Sequence, residues 1–451
     1  MLKVLKHITV EPVAFFYMFA IFGEFTCTQD MIFVKLCVQY FNDSPCTITK
    51  NSNSSALTSI MSDSSEQLLY NNVILTVSSI IGSFIAGSYG DRFGRLVPIA
   101  APPVLSLVAQ ILFIISAANI HNHFNILYVI MIGSFLGGIS GGSAGLLANS
   151  FGFVADITSQ KHRTVRIIAL EANIFCGGFV GSILTGLIMK HYDNTNYAKY
   201  YICFGIFAVI HGLLVLYVWV RVRTVQTQLS RITADTPTDQ SFTLSYVLEM
   251  FTGVIKTVVR RREGNNRKII YLLTLCFILI SYGTEAMNAL LFLYVRNRPL
   301  EWDSAQYSFY NGCKFGATGA ALLLLPLIQR YVWPNINDIW VAIIGEVSRA
   351  SGLVLIGLAT TTPIMYVSVL LYMCCEYPLP TIRSLMSKLV RVDERGKVLA
   401  FLALFQNLCF LSGGILFPIL YKHEINRTGG FSGMGFEIAA VLQVCAIVVF
   451  M

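Results

Sequence analysis

Among the ionisable side chains inside long apolar stretches of this 451-residue sequence, nine are the candidates to do chemistry. A charge is costly in an apolar environment, so such a residue either serves a function or pairs with another one. Their types suit two kinds of chemistry, the binding of a charged ligand and the transfer of a proton. The nine are Glu24, Glu171, Glu285, Lys314, Glu346, Arg349, Glu376, Arg383 and Glu437.

Arg383 and Glu376 are the candidates for ligand binding. They are seven residues apart, a spacing that places both on one face of a single helix. A guanidinium is well suited to a carboxylate or a phosphate on a substrate. We predict that this pair binds substrate. The alternative is that Arg383 anchors the helix at a membrane interface, with its charge turned to water.

Glu171 is the candidate for proton transfer. A carboxyl group buried in an apolar span disfavours its ionised form, so it can take up and release a proton. The alternative is a carboxylate that is satisfied by Arg166 or by donors on a neighbouring helix. Glu346 and Arg349, three residues apart on another helix, are predicted to pair with each other in a structural role.

The elements that position these residues follow from the composition. The sequence is 55% hydrophobic and 12% charged, against roughly 25% charged in an ordinary soluble domain. A helix that crosses the hydrocarbon core needs about 20 apolar residues. Twelve runs of that kind predict an all-α membrane protein with twelve transmembrane helices. They lie at 12–34, 70–90, 97–118, 124–153, 166–189, 200–220, 268–294, 306–329, 338–358, 364–386, 398–421 and 433–451.

The twelve runs form two sets of six. We predict an N-terminal six-helix half at 1–221, with a long outer loop at 35–69, and a C-terminal six-helix half at 267–451. The longest polar interruption, 222–266, is then a cytosolic linker. Apolar residues recur at helical spacing within it and are followed by cations, which favours an amphipathic helix on the inner leaflet. A partly disordered linker is the alternative.

Lys and Arg are concentrated in alternate loops, which predicts that both termini are cytosolic. Glycosylation sequons at Asn42, Asn53 and Asn426 all fall on the outer side in that orientation. The net charge of +8 therefore comes from loop cations near the lipid bilayer, and we expect no nucleic-acid partner. The sequence contains no metal-ligand cluster, no nucleophile with a neighbouring base and no phosphate loop. We therefore predict no enzyme activity, no metal and no cofactor.

A glycine-rich motif lies between the second and third apolar runs. Its glycines permit a tight turn and the close approach of another helix. Its aspartate suits a positive helix N-terminus, and its last arginine can pair with an aspartate near the end of the fourth run. The predicted role is gating of a conformational change, and the alternative is a capped turn with solvated charges. The residues are Gly87, Gly90, Asp91, Arg92, Gly94, Arg95 and Asp156.

Small residues repeat along the fourth and fifth runs. The fifth contains Gly177 and Gly181, four residues apart. In membranes, helices approach each other closely through such positions. We therefore predict tight helix packing at these glycines, which in the fourth run are Gly137, Gly138, Gly141, Gly142 and Gly145.

The glycine-rich motif at 87–95 resembles the inner-loop signature of the major facilitator superfamily. A more specific resemblance, to solute carrier family 46, the branch that includes the proton-coupled folate transporter, extends over nearly the whole chain. It is carried by Val10-Glu11-Pro12, by residues 153–156 and 169–172, and most densely by residues 382–384 and 387–391.

The resemblance implies a major facilitator superfamily fold and the import of an organic anion, with the proton as coupling ion and no cofactor. The family's coupling carboxylate maps to Glu171, and its arginine for proton and substrate binding maps to Arg383. Implied substrates are folate-like compounds, muropeptides, cyclic dinucleotides or conjugates. The implied site is the plasma membrane or a lysosomal or endosomal membrane. A transporter fold used as a receptor or scaffold, with little transport, is the alternative.

Three positions depart from the folate transporter. Its histidine of the seventh span falls at Thr284, and its aspartate of the fourth span falls near Gly142. Its outer-loop disulfide partner falls at Glu301, which leaves Cys46 without that mate. These differences favour a divergent relative over a folate transporter proper.

Overall fold

A computed structural model describes residues 9–41, 54–120, 126–158, 160–192, 197–225, 265–333, 336–390, 394–428 and 433–451. Every regular element in these ranges is helical. The helices are α1 (Glu11–Tyr40), α2 (Ser54–Phe93), α3 (Leu96–Ala118), α4 (Ile126–Ile139), α5 (Gly142–Ile157), α6 (Gln160–His191), α7 (Ala198–Tyr217), α8 (Asn266–Arg296), α9 (Ser304–Tyr331), α10 (Asp338–Gly357), α11 (Thr362–Tyr372), α12 (Pro378–Leu389), α13 (Arg395–Thr428) and α14 (Met434–Phe450).

The described helices have the length and surface of membrane spans. Nine helical segments in the described ranges are long and apolar enough to cross a bilayer, and α11 and α14 are shorter apolar helices. Large apolar side chains stand exposed on them, such as Leu216 at 63% and Val448 at 67%. Contiguous exposed apolar surface of this kind fits lipid and not water. The predicted all-α membrane fold is confirmed, and each of the twelve predicted runs contains one or two of the helices.

The fourth predicted span is interrupted, where the sequence predicted one continuous run. α4 ends at Ile139, and Gly141 and Gly142 adopt φ angles of 96° and 53°. These left-handed conformations suit glycine because a Cβ atom would be strained there. Ser140 Oγ accepts a hydrogen bond from the Gly142 amide at 3.2 Å, which stabilises the turn before α5 begins.

The tenth predicted span is interrupted as well. α11 ends at Tyr372, a turn follows at 373–377, and α12 begins at Pro378. Proline is favoured in the first turn of a helix because it has no amide hydrogen to donate. The predicted common face of Glu376 and Arg383 is therefore wrong, since Glu376 lies in the turn and only Arg383 lies on α12.

One compact unit comprises residues 1–53, 70–242 and 303–316. In this first unit α1 packs along α6. A methyl group added at Gly177 would overlap the backbone of Phe15, and one added at Gly181 would overlap the backbone of Phe19. The predicted close packing at these two glycines is therefore confirmed, with α1 as the partner helix.

A second compact unit comprises residues 54–69, 243–302 and 317–451. Here α8 packs against α13 and α14, and α10 packs against α14 and α11. Its apolar core includes Phe277 and Ile280 from α8, Ile382 and Met386 from α12, and Leu402 from α13. The predicted six-helix halves at 1–221 and 267–451 stay a prediction, because the two compact units are divided at other positions.

Two predicted loops differ from the structure or lie outside it. The outer loop predicted at 35–69 is shorter, because α1 continues to Tyr40 and α2 begins at Ser54. Lys35, the first residue of the predicted loop, is buried in α1, where its amine donates to the Ile120 carbonyl oxygen. Most of the predicted linker at 222–266, with its amphipathic helix, lies outside the described residues.

Candidate functional site

Arg349 lies at the centre of a buried cluster in the second unit. Its side chain is 0% exposed on α10, and two carboxyl groups lie near its guanidinium. Nε is 3.7 Å from Glu346 Oε1, and Nη2 is 3.6 Å from Glu376 Oε1. The predicted pairing of Glu346 with Arg349 is present. Glu376 is a second partner, which the spacing did not predict because it reaches Arg349 through the turn after α11.

The other donors of Arg349 bind neutral groups. Nη1 donates to Thr284 Oγ1 on α8 at 2.6 Å, and Nη2 donates to the Cys375 carbonyl oxygen. The Tyr372 hydroxyl lies 3.5 Å from Nη1. Arg349 therefore connects α8, α10 and the turn at 373–377. Thr284 is also the position at which the folate transporter's histidine falls in the resemblance described above.

Arg383 has a different environment from Glu376. It is half-buried on α12, and its Nη2 donates to Gln406 Oε1 on α13 at 3.2 Å. Its guanidinium carbon lies 5.9 Å from the centre of the Phe277 ring. An amide and an aromatic face help to fix the direction of the guanidinium. The predicted roles of Arg383 and Glu376 in substrate binding stay predictions.

Glu171 lies on α6 in the first unit and is half-buried. The alternative prediction, that Arg166 forms an ion pair with Glu171, does not match the contacts of Arg166. Arg166 instead forms a salt bridge of 2.6 Å with Glu11 on α1 and donates to Thr158 at 2.9 Å. Glu24, another carboxyl group of this unit, accepts a hydrogen bond from Gln110 Nε2 at 2.6 Å. The predicted proton-coupling role of Glu171 stays a prediction.

A fully buried polar cluster around Asp30 in the first unit was not predicted from the sequence. Lys199 Nζ lies 3.2 Å from Asp30 Oδ2, and both side chains are at most 1% exposed. The Tyr200 hydroxyl donates to Asp30 Oδ2 at 2.8 Å, and the Ser304 hydroxyl donates to Oδ1. Asp30 stands inside the first apolar run, and that position was the signal that could have revealed it.

The glycine-rich motif covers the end of α2, through Phe93, and the short turn at Gly94 and Arg95 that leads into α3. Gly94 adopts a φ angle of 97°, and Arg95 Nε lies 2.8 Å from Asp156 Oδ2 on α5. The predicted pairing of Arg95 with Asp156 is therefore present. A methyl group added at Gly90 would overlap the side chain of Asn149. The side chains of Asp91 and Arg92 lie outside the described part, and the gating role of the motif stays a prediction.

The glycosylation and cysteine predictions fall partly on described residues. Asn426 is exposed near the end of α13, where the sequence predicted a loop. Asn42, Asn53 and Cys46 lie outside the described residues. Cys37, buried on α1, is disulfide-bonded. Among the described residues, no group of three His, Cys, Asp or Glu side chains is arranged to hold a metal ion.

Comparison with known proteins gives a family and a set of relatives. The model of the Major Facilitator Superfamily matches residues 47–418. A proton-coupled folate transporter from Bos taurus is 29% identical over 364 residues, which cover 80% of this chain and 74% of the relative. A lysosomal proton-coupled steroid conjugate and bile acid symporter from Gallus gallus is 25% identical over 451 residues, covering 97% and 92%.

A more distant relative and a solved structure complete the comparison. A probable peptidoglycan muropeptide transporter from Drosophila melanogaster is 25% identical over 296 residues, covering 64% of this chain and 55% of the relative. The inward-open xylose transporter XylE from E. coli matches with a TM-score of 0.60 and 16% identity, covering 96% and 94%. That likeness shows the fold alone. The chain therefore belongs to the Major Facilitator Superfamily, and its relatives are members of solute carrier family 46, as its sequence predicted.

Proposed function

We propose that this protein carries an organic anion across a membrane together with protons, by alternating access. The observation that supports the proposal most directly is the half-buried Arg383 guanidinium on α12, within a protein made of membrane-spanning helices. A guanidinium in that setting suits an anionic group on a substrate. The relatives carry folate, steroid conjugates, bile acids and, in the probable case, muropeptides. These compounds share acidic groups.

Three sets of residues have separate roles in this proposal. Arg383 binds the acidic group of the substrate, and Glu376 contacts its hydrogen-bonding groups. Glu171 carries the coupling proton. The motif at 87–95 gates the change between the two orientations, with Arg95 and Asp156 paired in one of them.

The proposed setting follows from the orientation of the chain. Both termini are cytosolic, the sequons at Asn42, Asn53 and Asn426 face outward, and lipid surrounds the helices. Import from an acidic compartment or an acidic outer medium then supplies the proton gradient. The protein is placed at the plasma membrane or at a lysosomal or endosomal membrane. No enzyme activity and no cofactor are part of the proposal.

A flux measurement with a panel of anions tests the proposal. The purified protein is reconstituted in liposomes, with an acidic outside and a neutral inside. Uptake is followed for labelled folate, muramyl dipeptide, a cyclic dinucleotide and estrone sulfate, with xylose as the neutral control. We expect at least one anion to accumulate faster with the proton gradient than without it, and xylose not to accumulate.

The alternative function is a receptor or scaffold with the transporter fold. It predicts saturable binding of one of the anions to the purified protein without any flux. Failure of all four anions to enter the liposomes, with or without a gradient, would overturn the transport proposal. Accumulation of xylose in preference to the anions would overturn the assignment of an anionic substrate.

A further inference from the structure

Among the described residues of the second unit, Glu346 has the most completely enclosed carboxyl group. It is 0% exposed on α10. Neither of its oxygens accepts a hydrogen bond from any residue that the structure describes. Its nearest cation, Arg349, lies at an ion-pair distance of 3.7 Å without forming a hydrogen bond to it. A buried carboxylate without hydrogen bonds is expensive, and such a group usually takes up a proton instead.

The charges around Glu346 do not balance when both carboxyl groups are ionised. Arg349 is one cation, and Glu346 and Glu376 face it from two sides at 3.7 Å and 3.6 Å. Two carboxylates and one guanidinium leave a net charge of one negative unit in an apolar interior. One proton shared by the two carboxyl groups makes the cluster neutral.

The elements packed against α10 present mostly neutral groups near Glu346. α8 presents Thr284 and Cys276, the turn and α11 present Glu376, Cys375 and Tyr372, and α12 presents the ring of Pro378. The Lys388 amine of α12 also reaches α10, but it pairs with Asp338 at the start of that helix at 2.6 Å. α14 presents the amide of Gln443, and its Glu437 lies at the other end of α10, beside Gly357. Among the described contacts, Arg349 is thus the only cation at Glu346.

We propose that Glu346, Glu376 and Arg349 form a proton-binding site in the second unit, separate from Glu171. This inference rests on the proposed function and deepens it. The proton enters and leaves through Glu376, whose side chain is 22% exposed, whereas Glu346 is sealed. When the proton is bound, the three groups are neutral. When it leaves, Arg349 is shared by two carboxylates that repel each other, so the ion pair that holds the turn at 373–377 to α10 is weakened.

The proposal links the proton to the part of the chain that bears Arg383. The turn that holds Glu376 leads directly into α12, on which Arg383 lies. Loss of the proton makes Glu346 compete with Glu376 for Arg349, and it therefore loosens the hold of α10 on the start of α12. A proton bound at this site is therefore able to alter the position of the predicted substrate arginine.

Infrared difference spectroscopy of the purified protein, without any substrate, tests the site. The carbonyl stretch of a protonated carboxyl group is recorded while the pH is raised. We expect part of this band to disappear from the wild-type spectrum as the pH rises, and we call that part the titrating component. The variants Glu346→Gln and Glu376→Gln should both lack it. Glu437→Gln is the matched control, since Glu437 is an exposed carboxyl group on α14, and it should retain the component.

The outcomes separate this inference from the proposed function. If the component persists unchanged in both Glu346→Gln and Glu376→Gln, the proton site does not exist, whatever the flux experiment shows. If Glu346→Gln fails to fold, Glu376→Gln alone decides, because its side chain is partly exposed. If the component is lost while no anion is transported by the wild type, the site stands and the transport proposal fails.

Discussion

Arg166 on α6 and Glu11 on α1 form a salt bridge of 2.6 Å that joins the beginnings of two helices 155 positions apart in sequence. The second Glu11 oxygen accepts the Thr9 amide at 2.8 Å, so both oxygens are used. Both side chains are mostly buried, with 17% of Arg166 and 11% of Glu11 exposed. The pair therefore fixes the start of α1 against α6, the helix that carries Glu171.

Removal of this salt bridge should destabilise the first unit. Glu11→Ala leaves a largely buried guanidinium without its carboxylate, at a cost of about 1–3 kcal/mol. Lys388→Ala is the matched control, because its pair with Asp338 has the same 2.6 Å distance but a side-chain exposure of 63% and 35%. That exposed pair should contribute less than about 1 kcal/mol. The melting temperatures of the two variants are measured in detergent by size-exclusion chromatography after heating. An equal fall in melting temperature in both variants would contradict the account.

The contact of α1 with α6 should not tolerate a side chain at Gly181. A methyl group there overlaps backbone atoms of Phe19, which cannot move without shifting α1. Overpacking of this kind costs roughly 1–3 kcal/mol. Gly205→Ala on α7 is the control, since no atom lies within 4 Å of the added methyl group, and it should leave stability equal or slightly higher. The yield of monodisperse protein is measured for both variants, and it should be lower for Gly181→Ala. An equal yield of the two variants would refute the close contact.

The interruption between α4 and α5 should depend on glycine. Gly141 has a φ angle of 96°, so Gly141→Ala places a Cβ atom in a strained conformation that costs roughly 1–2 kcal/mol. Gly137→Ala, four residues earlier on α4, adds a methyl group in open space and serves as the control. We expect a lower melting temperature for Gly141→Ala only. Equal melting temperatures would show that the span is continuous in the membrane.

The fold was predictable from the sequence because each apolar run is long and the polar segments between runs are distinct. The two interruptions were not. Hydrophobicity alone does not mark Gly141 as a turn, because glycine in a membrane span is equally typical of close helix packing. The second break lies at Glu376 and Pro378, within a run that is otherwise apolar. A count of apolar residues does not show whether one polar residue and one proline are enough to end the helix.

The site was predictable where partners are close in sequence or belong to a known motif. The pairings of Glu346 with Arg349 and of Arg95 with Asp156 are both present. The approach of Glu376 to Arg349 was not predictable, because it depends on the path of the chain through the turn at 373–377. The Asp30–Lys199 pair was missed for a similar reason, since it joins residues far apart on α1 and α7.

Two substitutions of Arg383 should show whether its charge or its planar shape binds the substrate. Arg383→Gln removes the cation, and we expect uptake of the transported anion to fall at least roughly tenfold, the loss that follows from one charged hydrogen bond of about 1.5 kcal/mol. Arg383→Lys keeps the charge but not the planar fork, so it should retain part of the uptake. The apparent affinity for the anion is the quantity to measure. Full uptake in Arg383→Gln would show that this residue anchors the helix only.

Proton movement that accompanies the anion tests the central claim most directly. Liposomes that contain the protein and a pH-sensitive dye receive the transported anion from outside, without an imposed gradient. The wild type should acidify the lumen as the anion enters. Glu171→Gln should still exchange labelled for unlabelled anion but should produce no acidification, because its side chain cannot release a proton. Anion entry without acidification in the wild type would contradict the account.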